Sequence, residues 1–201
     1  MVWRVACVVG LVWNAGWLLA ASEARADGIV LPRPGQVGIS GQGGYGTLFS
    51  SGVFGEDFGS GPSIAVRLRY RMRYERALGL SFENQRFDAR EAAPGDTAFD
   101  SMNLVLSGIE FYQLFGTRTK ATRMLMVGAG LAQPSAELRN GETFFFTGGD
   151  GLYVSAGAGL ERFFYRSWAW DLSFRYYALF KDGDANHQVQ AALGVIFYAG
   201  Y

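Results

Sequence analysis

Cysteine is almost absent: Cys7 is the only one in 201 residues, and it stands inside an apolar N-terminal run. From residue 27 onward there is no thiol, which excludes disulfides, thiolate chemistry and cysteine-ligated metal. Histidine is equally scarce, with His187 alone. A metal site would have to rest on carboxylates, and the reading includes no cofactor and no metal. Of 18 basic residues only Lys120 and Lys181 are lysine, and 18 acidic residues balance them. Neither sign is in excess, so nothing points to nucleic acid as a partner. Charged residues make up 18% of the chain, below the usual share of about 25%. Long disorder is disfavoured at 49% hydrophobic content.

Glycine and aromatic residues are plentiful instead. The chain has 28 glycines and is 15% aromatic. Glycine costs about 1 kcal/mol at each helix-interior position, so this composition argues against helical bundles. The first residues read as a targeting signal. Arg4 supplies a basic start, Val5 to Ala21 is apolar except for Asn14, and Ala24-Arg25-Ala26 has the A-x-A form of a cleavage site. Residues 1–26 are therefore expected to be a cleavable signal peptide, with residues 27–201 as one exported domain. The apolar run is short for a membrane anchor, which needs about 20 residues. Cys7 precedes the end of that run, so a lipoprotein anchor does not fit.

Beyond the signal the chain is written in period two. Ile64, Val66, Leu68, Tyr70, Met72 and Tyr74 share one parity, while Arg67, Arg69, Arg71 and Arg73 share the other. Successive strand side chains point to opposite faces, so this is one strand with an apolar and a charged face. The alternation recurs over 168–180 and at the C-terminus. Eight strands are predicted at 36–49, 63–74, 77–87, 101–114, 122–133, 151–162, 168–180 and 188–201. In the fourth, Leu104 and Leu106 favour one parity and Ile109 and Phe111 the other, which suggests a bulge. Connections after strands two, four and six are short. Those after one, three and five are long, and 181–187 is intermediate.

Alternation alone also fits a soluble sandwich. Strands of this length exceed the usual 5–6 residues and match the ~9–11 needed to cross a bilayer at a tilt. A sheet in lipid must close on itself, because unpaired backbone groups cost several kcal/mol each. Eight strands, an even number, can close. Aromatic residues cluster where interfacial girdles would lie: Tyr70, Tyr74, Phe163 to Tyr165, Trp168, Trp170 and Tyr176 to Phe180. The fold class expected is all-β: an eight-stranded antiparallel up-and-down transmembrane β-barrel preceded by the signal peptide.

Val127-Gly-Ala-Gly-Leu131, Ala156-Gly-Ala-Gly-Leu160 with Glu161, Trp170-Asp-Leu-Ser-Phe-Arg-Tyr-Tyr177 and Gly194-Val-Ile-Phe-Tyr-Ala-Gly-Tyr201 carry a resemblance over residues 36–201. The chain resembles the small outer-membrane β-barrel proteins of Gram-negative bacteria, among them the membrane domain of OmpA and the OmpW-like proteins. The resemblance implies a bacterial outer-membrane location, and outer-membrane lipid, lipopolysaccharide and the barrel-assembly machinery as partners of a monomer. The last strand, with Phe197 and Tyr201, is similar to the signal that machinery recognises, although the family usually ends in Phe.

The interior charge network is the candidate site: Arg67, Arg69, Arg71, Arg73, Glu83, Arg123, Glu161, Asp171 and Arg175. It can be read as an anion-selective pore lining or as a packed, paired core, since eight strands leave room only for side chains. The paired core is favoured because an uncompensated buried charge costs ~3–5 kcal/mol. Glu83 is the expected partner of the arginine ladder, with Arg69 as a possible mate. The sequence G-x-G-x-x-G at Gly41 to Gly46 lacks the following helix that a dinucleotide site needs. Its small residues are expected to leave space inside the barrel, as are Gly128, Gly130, Gly157 and Gly159. His187 with Ser173 and Asp171 offers the parts of a lipid hydrolase, but His187 has no serine near it in sequence. Phe54, Phe58 and Phe144, Phe145 and Phe146 are apolar residues in long loops, and the sequence leaves their role open. A non-enzymatic role in envelope structure, surface interaction or passage of small apolar molecules is expected. The alternative is a lipid A or phospholipid-modifying hydrolase.

Overall fold

The computed structural model describes residues 28–49, 58–89, 99–138, 143–145, 150–181 and 184–199. The expected signal peptide, Phe54, Phe146 and Tyr201 lie outside them.

The strands are β1 (Val37–Leu48), β2 (Ser60–Arg73), β3 (Arg76–Asp88), β4 (Phe99–Phe115), β5 (Ala121–Leu138), β6 (Thr143–Phe145), β7 (Gly151–Tyr165), β8 (Trp168–Lys181) and β9 (Asp184–Ala199). Every pairing is antiparallel between chain neighbours, save that β5 pairs both β6 and β7. β9 then pairs β1 from Val37↔Ala199 to Leu48↔Gln188 and closes the sheet. Eight long strands thus form the barrel. β6 is a three-residue addition along the upper part of β5, where Phe144 and Phe145 pair with Ala136 and Ser135. The Phe144–Phe145 segment therefore does extend the sheet.

The start of β1, the end of β9 and the tight turns after β2, β4 and β7 lie at one end, here the turn end. The longer connections lie at the other, the loop end. β8 and β9 remain paired up to Lys181↔Asp184, so the expected intermediate connection over 181–187 is mostly strand. The bulge expected in β4 is absent: its pairing with β3 runs without a shift from Asp88↔Ser101 to Arg76↔Gln113. Met102, Leu104, Leu106, Glu110, Tyr112 and Leu114 all face inward on one parity. The two apolar parities arise because β4 is apolar inside at the loop end and apolar outside at its middle.

The outer wall is a belt without charge. Ile64, Val66 and Tyr70 on β2 are 71%, 48% and 48% exposed, and Ile109 on β4, Val127 on β5, Leu152 on β7 and Leu193 on β9 are similarly open to the outside. Large apolar side chains this exposed over a whole closed surface have no place in water and match the lipid-facing band of membrane barrels. At mid-height the barrel inverts the soluble arrangement: on β2 Arg67, Arg69 and Arg71 are inside, and Ile64, Val66 and Tyr70 are outside.

The lumen is filled in three layers. At the loop end Leu48, Phe58, Phe87, Met102, Leu104, Leu106, Tyr153, Tyr177 and Leu179 form an apolar cap. Phe58 is thereby placed in the inner wall, and its bridge to Ala89 holds it there. The middle layer is polar. Below it Phe163, Ala169, Ile196 and Tyr198 pack with Ile29 and Leu31, so the segment ahead of β1 covers the turn end. Phe163 and Tyr177, expected in the aromatic girdles, are inside; Trp168, Trp170, Phe164, Tyr165 and Tyr176 do face outward. Gly128, Gly130, Gly157 and Gly159 have the inward parity expected, but Gly41 and Gly43 open outward, where a Cβ would meet nothing within 4 Å.

Candidate functional site

The middle layer is built from the inward parity of seven strands. β1 contributes Ser40 and Gln42; β2 Arg67, Arg69 and Arg71; β3 Glu83 and Gln85; β4 Glu110 and Tyr112; β7 Glu161; β8 Asp171, Ser173 and Arg175; β9 Gln188, Gln190 and Tyr198. None of the four arginines or four carboxylates exceeds 4% exposure. Four cations therefore meet four anions, and the layer is neutral.

Its pairing is specific. At the loop-end side Arg67 Nη2 lies 2.6 Å from Glu83 Oε2. Glu83 also accepts from Tyr177 Oη at 3.1 Å, from Gln85 and from Gln190. In the centre Arg175 pairs with both oxygens of Glu110, and Arg67 Nε approaches the same carboxylate at 3.8 Å. Tyr112 donates to Glu110 as well. Toward the turn end Glu161 holds two arginines, Arg69 on one oxygen and Arg71 Nη2 at 2.7 Å on the other. Asp171 Oδ2 lies 3.4 Å from Arg69 Nη2 and accepts from Ser40 Oγ at 3.0 Å. Tyr198 donates to Glu161 at 2.6 Å and accepts from Arg71 Nη2 at 3.0 Å.

Two rings stack under this layer. Arg69 Cζ lies 4.2 Å from the centre of the Tyr112 ring, and Arg71 Cζ 5.0 Å from that of Tyr198, at cation–π distance. Glycine makes this possible. A Cβ at Gly79 would stand 2.9 Å from Tyr112 Cε2, and one at Gly38 would stand 2.7 Å from Tyr198 Cε1. Both positions must lack a side chain for the rings to lie flat against the wall.

Seven of the nine residues expected in the network are in it. Arg73 is not: it is exposed, and the β2–β3 register shifts between Arg71 and Arg73 at the hairpin. The ladder ends one rung early because the strand ends. Arg123 is not either. The inward residues of β5 there are Thr122, Met124 and Met126, so Arg123 has the outward parity, at the edge of the belt. The sequence reading missed Glu110, the sole carboxylate holding Arg175 in a salt bridge among the described residues. Its signal was its parity with Tyr112 and Leu114, obscured by the presumed bulge. Glu83 is a partner of the ladder as expected, but its mate is Arg67, not Arg69.

The hydrolase constellation is not assembled. Ser173 donates to Gln42 Oε1 at 3.4 Å inside the barrel, and Asp171 is committed to Arg69 and Ser40. His187 has the outward parity of β9. Its Nδ1 lies 2.7 Å from Tyr176 Oη, and its ring stacks with Tyr176 at 5.8 Å and Phe49 at 6.2 Å between centroids. Wall and backbone separate it from Ser173. Phe197 stacks on Trp168 at 4.9 Å on the outer surface.

No known family model matches the sequence, and no curated protein matches it. Likeness to solved structures is extensive. Neisserial surface protein A superposes with a TM-score of 0.61 at 18% identity, over 80% of this chain and 96% of that one. Ail, the attachment invasion locus protein of Yersinia pestis, gives 0.56 at 14% identity, over 83% and 99%. The outer membrane protein OprG of Pseudomonas aeruginosa gives 0.54 at 10%, over 88% and 100%. With the closed sheet and the apolar belt, these define the class by its fold: the chain is a closed eight-stranded membrane β-barrel, the architecture seen in these small outer-membrane proteins.

Proposed function

We propose that this protein is a non-conducting, non-enzymatic barrel that serves envelope structure and surface interaction. The filled lumen carries the reading. A neutral layer of four arginines and four carboxylates lies between an apolar cap and an apolar floor, and all three are buried. A conducting pore needs sites an ion can enter and leave, whereas these guanidinium groups are already held by carboxylates. The loop-end cap of Leu48, Phe58 and Leu104 fills the route an apolar solute would take into the lumen. Work left to such a barrel lies on its outer wall and at its ends. The turn end is assigned to the periplasm and the loop end to the cell exterior, with outer-membrane lipid and lipopolysaccharide around a monomer. Phe197 on the last strand belongs to the signal read by the assembly machinery.

The separation of His187 from Ser173 and Asp171 argues against lipid hydrolysis. Cells lacking the protein are expected to lose detergent resistance with their lipid A profile unchanged, and a His187→Ala protein is expected to restore resistance fully. An altered lipid A profile that wild type restores and His187→Ala does not would overturn the reading in favour of a hydrolase.

A further inference from the structure

The chain is neutral overall, yet its charge outside the lumen is sorted along the barrel axis. Arg73 and Arg76 face each other in the β2–β3 register at the turn end. Arg118 and Lys120 stand in the turn between β4 and β5, Arg166 in the turn between β7 and β8, and Arg33 in the segment before β1. On the wall itself, Arg123 of β5 and Arg162 of β7 have the outward parity at the same end, in neighbouring strands. Against these eight basic residues the only acidic residue at that end, among the described ones, is Glu75. The loop end differs. Arg86 lies 4.0 Å from Asp100 and 3.9 Å from Glu137, and Asp88 and Asp150 add further negative charge.

The uncharged belt separates the two. On β5 the outward residues from Leu125 to Ser135 carry no charge, with Arg123 at one edge and Glu137 at the other. On β7 Leu152 to Leu160 lie between Asp150 and Arg162. The cationic edge also carries aromatic side chains. Arg118 Cζ lies 5.9 Å from the Tyr74 ring centre and Arg166 Cζ 5.3 Å from that of Tyr165, while Phe164 and Trp170 stack at 5.2 Å beside them. Aromatic side chains beside basic ones are what the headgroup level of a bilayer selects, and guanidinium groups match phosphate in charge and in hydrogen-bond geometry.

We propose that the turn end is a collar for an anionic phospholipid leaflet, its arginines binding the phosphates of phosphatidylglycerol headgroups around the wall. A lipid is favoured over a soluble polyanion because Arg76, Arg123 and Arg162 project sideways from the strands at the margin of the apolar belt. Lipid headgroups reach that level, and a polymer lying across the turns does not.

The molecule carries its own reporter. After residue 26 the only tryptophans are Trp168 and Trp170, both outward-facing at this end. The test uses folded protein purified from membranes, in phosphatidylcholine vesicles containing a minor fraction of phosphatidylglycerol. Bromine quencher is placed on one lipid or the other at equal mole fraction. Brominated phosphatidylglycerol is expected to quench as if enriched about fivefold beside the protein, the factor one basic residue near an anionic leaflet supplies. High salt should remove the enrichment. Replacing Arg73, Arg76, Arg118, Arg123, Arg162 and Arg166 with glutamine should abolish it, and replacing them with lysine should keep it. If the glutamine protein fails to fold, the salt dependence of the wild type still decides. Equal quenching by both lipids in low salt, or enrichment that survives in the glutamine protein, would overturn the proposal. So would equal quenching together with arginine-dependent co-sedimentation with peptidoglycan, which would assign the collar to a polymer.

Discussion

The polar layer at mid-barrel and the apolar cap above it fill the same lumen by opposite means. In the cap, Leu48, Phe58, Leu104 and Leu106 contribute by volume, and any one of them has several neighbours to relax around its loss. In the polar layer each carboxylate has named mates: Glu161 serves Arg69 and Arg71, Glu110 serves Arg175 and Arg67, and Glu83 serves Arg67 and Tyr177. The difference is one of tolerance. An apolar contact is lost in proportion to the area removed, but a deleted carboxylate leaves a guanidinium buried without its counter-charge. The cap closes the barrel; the polar layer also specifies its register, because a strand displaced by one residue would turn every arginine of β2 toward lipid.

That contrast can be broken by substitution, and unfolding titrations in vesicles provide the measure. Glu161→Leu leaves Arg71 without a carboxylate and Arg69 with Asp171 alone, and is expected to have the largest effect, about 3–5 kcal/mol of destabilisation. Leu68→Arg places a charge on the lipid side of β2 and should cost roughly 2–4 kcal/mol near the membrane centre. Leu104→Ala, in the cap, should fall near the lower end of the ~2–5 kcal/mol range for buried leucine, because its neighbours can close in. A cap substitution costlier than Glu161→Leu would reverse the comparison. Replacing Arg67 and Glu83 together should cost less than the sum of the single changes, with a coupling of about 0.5–3 kcal/mol, while Arg69 and Glu83 should be closer to additive. Smallest of all, Arg73→Gln should stay within about 0.5 kcal/mol, as an exposed position outside the network does; a loss comparable to that of Glu161→Leu would show that the ladder extends to the hairpin.

Most of the barrel was legible because period two is a direct consequence of strand geometry. β2 shows this best: charge on one parity from Arg67 to Arg71 and apolar side chains on the other from Ile64 to Met72, so Arg67, Arg69 and Arg71 could be placed inside. β4 was harder, since its inward face changes from Met102, Leu104 and Leu106 to Glu110. Hydrophobicity alone cannot tell an apolar cap from lipid, and Glu110 was lost with the parity. Arg123 failed for the converse reason. Near a strand end the outside is headgroup and water, so a charged residue no longer marks the inward face. Which carboxylate meets which arginine depends on strands far apart in sequence, such as β2 with β7 and β8, and on the stagger that closing the sheet imposes. No local pattern records that.

The central claim is that charge pairing seals the lumen, and conductance across planar bilayers tests it most directly. The wild-type barrel is expected to show no steady conductance, and a folded Glu83→Gln barrel, in which Arg67 loses its nearest carboxylate, is expected at most to flicker. Large, steady, anion-selective currents through the wild-type protein would contradict the account and make Arg67, Arg69, Arg71 and Arg175 the lining of a pore.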